Sequence, residues 1–136
     1  MNKQELERRL DRLCSTLIRC RETNCFTCGK KLRYAGRQAG HYVPRVVRWT
    51  RWDLDNIHTQ CYECNVQKGG NLSRYREKLP TPTRMTLDAL YDAYKRGQLP
   101  EPDEAHRITL YNQLLTTIRD SYPLRAQPFC EWQKIE

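Results

Sequence analysis

The sequence contains no apolar run approaching the roughly 20 residues that a membrane-spanning helix requires. Its opening stretch, MNKQELERRLDRL, has charges where a secretory leader needs an apolar centre. A soluble, intracellular protein of the cytoplasm is therefore expected, with no membrane partner. Apolar residues make up 38% of the 136 positions, which argues against one large core and for a small core assisted by a bound metal. The seven cysteines are an odd number, so a complete disulfide framework is excluded, and pairs spaced Cys-x-x-Cys in a reducing compartment read as metal ligands. Acidic residues are missing between Cys25 and Trp52. That window holds seven basic ones, Lys30, Lys31, Arg33, Arg37, Arg45, Arg48 and Arg51, interleaved with Tyr34, Tyr42, Trp49 and Trp52. Such a stretch suits a polyanion such as nucleic acid; the bland alternative is a solvated surface.

Hydrophobic periodicity divides the chain into three parts. Leu6, Leu10, Leu13, Leu17 and Ile18 recur at spacings of three and four, which predicts an N-terminal helix over residues 1–22. Cys14 and Cys20 lie in it as small buried or partly exposed thiols. Residues 23–80 form the second part. There, His41-Tyr42-Val43 and Val46-Val47 are candidate strands, and residues 62–68 and 72–79 are candidate short helices, the second capped by Asn71 after Gly69-Gly70. Pro80 and Pro82 mark a linker. The third part, 81–136, reads as a helical region. A helix over about 84–96 carries Met85, Leu87, Leu90, Tyr91 and Tyr94 and stops at Gly97, and another covers about 103–120. The tail, with Tyr122, Phe129 and Trp132, is expected to pack back.

The clearest signal is the pair of motifs Cys25-Phe-Thr-Cys28 and Cys61-Tyr-Glu-Cys64. Each lets two sulfurs face one ion, and together they supply the four thiolates of a closed tetrahedral Zn²⁺ site, structural rather than catalytic.

Between and beside these pairs run Gly40-His41-Tyr42-Val43-Pro44-Arg45 and Asp53-Leu-Asp55-Asn56-Ile-His58-Thr-Gln60-Cys61-Tyr-Glu-Cys64-Asn65-Val-Gln-Lys68. The arrangement resembles HNH nucleases, whose pattern matches His41, Asn56 and Asn65. With Gly70-Asn71-Leu72 and Tyr75-Arg76, it looks like the NinG/Rap family of phage recombination endonucleases over roughly residues 20 to 80. Its layout is also similar to that of phage endonuclease VII, a Holliday-junction resolvase. The resemblance implies an α+β fold: a small ββα-metal (HNH) core with a Cys₄ structural zinc, flanked by N- and C-terminal helices. It also implies phage origin and hence the host cytoplasm.

Hydrolysis of a phosphodiester needs a base, charge stabilisation and a leaving-group proton. A histidine titrates near neutrality, so His41 suits the base. Mg²⁺ or Mn²⁺ would act as Lewis acid at the phosphate, with the side-chain oxygen of Asn65 as a ligand. Asn56 would orient the loop opposite His41, and Arg45 would clamp a phosphate. Many relatives have an acidic metal ligand where this chain has Gly40. The catalytic cation must then find another partner among His58, Asp55, Asp53 and Glu63, in that order, unless His41 itself binds it. His58 could instead brace the zinc loop. Lys68, Arg74 and Arg76, like the basic residues of the 25–52 window, are candidate DNA-backbone contacts.

Three functions follow. The first is an endonuclease for branched recombination DNA such as Holliday junctions, which needs two active sites and so a homodimer. The second is a less selective HNH nuclease that nicks or cuts ordinary duplex. The third is a zinc-stabilised DNA-binding module without catalysis, for which Gly40 is the best argument. The amphipathic helices could serve a dimer interface or an intramolecular bundle.

Overall fold

The computed structural model describes residues 1–136. The first helix, α1 (Lys3–Arg21), starts at Asn2, whose side chain accepts from the Glu5 N–H at 2.8 Å, and ends with Arg19 and Arg21 in its last turn. Both charges suit the helix dipole. A two-stranded antiparallel sheet follows, β1 (Gln38–His41) paired with β2 (Ile57–Gln60), in the register Gln38 to Gln60 and His41 to Ile57. The loop between them holds the short helix α2 (Arg48–Arg51). After β2 come a π-helical turn (Glu63–Gln67), α3 (Leu72–Lys78), α4 (Thr81–Lys95) and α5 (Glu104–Ser121). No helix is long and apolar enough to cross a membrane.

The architecture is mixed: helices around a small sheet. The apolar stripe of α1, Leu6, Leu10, Leu13 and Leu17, is buried against Tyr111, Leu114, Leu115 and Ile118 of α5. Trp52, Ile57 and Phe129 complete the same core. Each such side chain contributes about 1.5–3 kcal/mol on burial. Of the two uses expected for these amphipathic faces, α1 and α5 show the intramolecular one. This core draws on residues from all three parts read in the sequence, and the tail packs back through Phe129 and Trp132. A second cluster of Val43, Val47, Tyr75, Leu79 and Leu87 fastens α3 and α4 to the loop after β1.

Several expected elements shift. The strand expected at 41–43 lies at Gln38–His41, and Val46-Val47 is not a strand: Val47 is buried and leads into α2. Asn71 does precede α3, but in the left-handed region (φ +49°), and its side chain makes no capping bond. Thr81 and Pro82 belong to the first turn of α4, where proline's missing N–H costs nothing. Met85 is exposed rather than packed. Gly97, at φ +69°, closes α4, with Gln98 N–H reaching back to the Ala93 carbonyl at 2.8 Å.

Candidate functional site

The four cysteines converge. Cys25 and Cys28 lie on the turn leading from α1 towards β1, Cys61 follows β2, and Cys64 lies in the π-helical turn. Their sulfurs lie within 4.8 Å of one another, and those of Cys28 and Cys61 are 3.8 Å apart. A tetrahedron with about 2.3 Å Zn–S bonds has edges of about 3.8 Å, so the donor set fits one Zn²⁺. Backbone N–H groups support the sulfurs: Cys28 N–H lies 3.5 Å from the Cys25 sulfur and Cys64 N–H 3.4 Å from that of Cys61. Gly29, at φ +81°, turns the chain out of the first pair. The Asn71 amide reaches the Cys64 sulfur at 3.5 Å, so the residue expected as a helix cap instead supports a metal ligand.

A second feature lies between α1, β1 and the C-terminal tail. It is a groove of about 640 Å³, lined by Arg12, Arg19, Arg37, Arg45, Arg51 and Arg125 against a single carboxylate, Asp11. His41 stands in its wall. Strand alternation turns Ala39 and His41 towards α1 and turns Gly40 and its neighbour His58 to the opposite face. The His41 Nε2 lies 2.8 Å from the Arg51 carbonyl. A carbonyl only accepts, so Nε2 carries the hydrogen and Nδ1 keeps its lone pair. Burial lowers the His41 pKa from its ordinary 6.5. The Arg45 and Arg51 cations add to this, while the Arg51 carbonyl and Asp11 oppose it. The ring is therefore neutral at pH 7.

Asn56 is fully buried and braces the loop that carries that carbonyl. Its Oδ1 accepts from Val43 N–H at 2.8 Å, and its Nδ2 donates to the Val43 and Thr50 carbonyls at 3.1 and 3.0 Å. It acts on His41 only through the backbone.

The remaining residues singled out in the sequence do not gather at His41. His58 bonds Glu22 through Nδ1 at 2.6 Å and stacks on Phe26, with ring centroids 3.8 Å apart. It lies on the sheet face away from His41. Asp55 is exposed, and its N–H is capped by the Asp53 carboxylate at 2.9 Å. Glu63 lies near Lys68 at 3.7 Å. Asn65 donates its amide to Gln38 Oε1 at 2.8 Å, at the far end of β1 from His41. The one carboxylate of the groove, Asp11, accepts from Arg51, Arg45 and the Trp52 indole at 2.6 to 2.9 Å. Burial works against its ionisation, but these donors outweigh it and hold its pKa down. Mg²⁺ or Mn²⁺ demands a shell of oxygens, and these side chains do not assemble one: the expected ligands His58 and Asp55 are placed elsewhere.

The basic residues also divide. Arg37, Arg45 and Arg51 line the groove, whereas Lys30, Lys31 and Arg33 are exposed beside the first cysteine pair. Arg48 pairs with Glu7 at 2.8 Å, Arg76 with Asp88 at 2.7 Å, and Arg74 approaches Glu77 at 3.8 Å. Arg12, Arg19 and Arg125 were missed by the sequence reading. The signal for the first two was their spacing of seven, which puts both on one face of α1.

Position 40 has its own constraint. A Cβ on Gly40 would fall 1.8 Å from Gln60 Oε1 and 2.7 Å from its Cδ. Gln60 cannot swing away, because its Nε2 donates to Thr27 Oγ1 and the Gly70 carbonyl at 3.1 and 2.8 Å. Gly40→Ala is expected to destabilise the protein by about 1–3 kcal/mol through overpacking. A urea titration reads this directly, and an unchanged midpoint would contradict the close contact.

The family model described as Bacteriophage Lambda NinG protein matches residues 1–120. The chain belongs to the NinG family. It is 34% identical over 105 residues to Protein ninG of Salmonella phage P22, covering 76% of this chain and 51% of that protein. It is 44% identical over 62 residues to Protein ninG of Escherichia phage 933W, and 42% identical over 62 residues to that of Escherichia phage lambda. Each of these matches covers 45% of this chain and 30% of the relative. This NinG chain thus spans about half or less of the curated relatives it matches. No solved structure matches it.

Proposed function

We propose that this NinG-family chain is a DNA endonuclease that cuts branched recombination intermediates such as Holliday junctions, with His41 as general base. The observation that carries the reading is a neutral histidine, fixed by one ring nitrogen to the Arg51 carbonyl, in the wall of an arginine-lined groove. A phosphodiester lying in that groove would meet guanidinium groups suited to its oxygens, and the free Nδ1 can take a proton from an attacking water. Arg45 and Arg51 would then exchange Asp11 for the phosphate. Paired cuts across a junction require two copies of the chain.

The test incubates the protein with a labelled four-way junction and with linear duplex of the same sequence. Each is assayed with Mg²⁺, with Mn²⁺ and with no added divalent cation, because the side chains around His41 form no cage for either ion. Symmetric cuts on the junction and weak cutting of duplex support the proposal. Equal cutting of both substrates would replace it with a general HNH nuclease. Binding without cleavage in every arm would leave a zinc-stabilised DNA-binding module, the reading that Gly40 and the ungathered metal ligands favour.

The depressed His41 pKa also sets the pH profile. A base must be unprotonated to work, so the acid limb of kcat/KM is expected below pH 6.5. The sign for stability is the same. The unfolded chain binds this proton at a higher pH than the folded one, so the stability His41 contributes is complete above the unfolded value and is lost as pH falls from there through the lower folded value. An acid limb above 6.5 in a pH–rate series would count against His41 as the base.

A further inference from the structure

The two ends of the groove differ in charge. Near His41, Asp11 offsets Arg45 and Arg51. Arg12, Arg19, Arg37 and Arg125, towards the tail, pair with no carboxylate. Their contacts are rings and backbone carbonyls: Arg125 lies 3.6 Å and Arg19 4.9 Å from the Tyr34 ring centroid, Arg12 lies over Phe129, and Arg37 donates to the Leu32 and Arg19 carbonyls. Cations held together without a counterion repel one another, and an anion relieves that cost. Tyr34 stands among them, and the adjoining Leu124 is 85% exposed.

We propose that this end of the groove binds an unpaired strand of DNA, with phosphates on Arg12, Arg19 and Arg125 and a base stacked on the Tyr34–Arg125 pair. A duplex keeps its base faces stacked inside and offers only phosphates, whereas a single strand offers both phosphates and free base faces, which a basic groove with an aromatic ring accepts. The inference deepens the nuclease reading by naming the strand that a branch point supplies.

The test uses His41→Ala protein with its zinc retained and no added divalent cation, so that binding is read without cleavage. Fluorescence anisotropy follows a short labelled oligothymidine and a labelled duplex. Tyr34→Leu is expected to weaken oligothymidine binding roughly tenfold and to leave duplex binding within twofold. Arg125→Gln, a change at an exposed side chain that leaves folding intact, is expected to reduce the salt dependence on oligothymidine by about 0.7 in log–log slope. Arg96→Gln, at the exposed end of α4 and outside the groove, is the control and should change neither. Unchanged oligothymidine binding in both variants, or equal losses on both substrates, would overturn the proposal. Intact strand binding in a protein that cleaves no junction would sink the nuclease reading and leave this one standing.

Discussion

Cys61→Ser, or a chelator strong enough to strip zinc, is expected to unfold the sheet end of the molecule and to abolish a cooperative thermal transition. Structural Zn²⁺ bound by four thiolates contributes roughly 10–16 kcal/mol in small peptides, whereas whole domains are stable by about 5–15 kcal/mol. A zinc ion held by this cluster would therefore match the whole stability of a typical domain. The cysteine cluster is bordered by few apolar side chains, with Leu32 the partly buried one packed against it. Nothing else there replaces the lost ligand, and the Asn71 and backbone contacts to sulfur have no other partner. Most of the core that α1 and α5 share comes from those two helices, with Trp52 and Ile57 added from the sheet side, so part of the helical circular dichroism should persist while the sharp melt disappears. Zinc content and a melting curve on the same sample decide the matter. A Cys61→Ser protein that melts within a few degrees of the parent would mean that the four cysteines hold no structural metal.

His41→Gln is expected to lower junction cleavage by about 10²- to 10⁴-fold while leaving junction binding and the melting temperature nearly unchanged. General bases contribute gains of that size, equivalent to about 3–5 kcal/mol on the barrier. Glutamine retains a donor for the Arg51 carbonyl, so the loop keeps its tether, but it cannot take up a proton near pH 7. Asn56→Ala makes the useful contrast. Removing that amide leaves the Val43 N–H and the Val43 and Thr50 carbonyls without their partner inside a buried loop, at about 1–3 kcal/mol for a buried group left unsatisfied. It should therefore cost both stability and cleavage, because it places the carbonyl that places His41. Single-turnover cleavage, anisotropy and urea titration separate the two roles. A His41→Gln protein that cuts as fast as the parent would remove the catalytic reading altogether.

The long helices and the four-cysteine cluster were legible because each rests on local spacing: the three- and four-residue recurrence of leucines in α1, the glycine stop at Gly97 after α4, and the doubled Cys-x-x-Cys. The sheet was less so. Ile57–Gln60 has one large apolar side chain among four residues, and its partner Gln38–His41 contains a glycine, so neither strand announces itself by alternation. Asn56 ties the start of β2 to the loop after β1 through Val43 and Thr50, a long-range contact that no local propensity signals. The groove was legible on one wall only. Arg37, Arg45 and Arg51 fall in the acid-free window, but Arg12 and Arg19 come from the first helix and Arg125 from the tail, and only the packing of α1 against β1 and the tail brings them together. For the same reason the sequence could not reveal that Asp11 and Glu7 neutralise three arginines of that window. Nor could it reveal that His58 and His41 lie on opposite faces of a two-stranded sheet, although the even spacing of strand residues decides that once the register is known.

The fit of Gln60 over Gly40 makes what one position can hold depend on the other. An acidic residue at position 40 has no room while Gln60 keeps its length. If position 60 is first shortened, Thr27 and the Gly70 carbonyl lose a partner but a space opens, and position 40 is then free to vary. The two positions are therefore coupled: any side chain at position 40 needs a shorter residue at position 60.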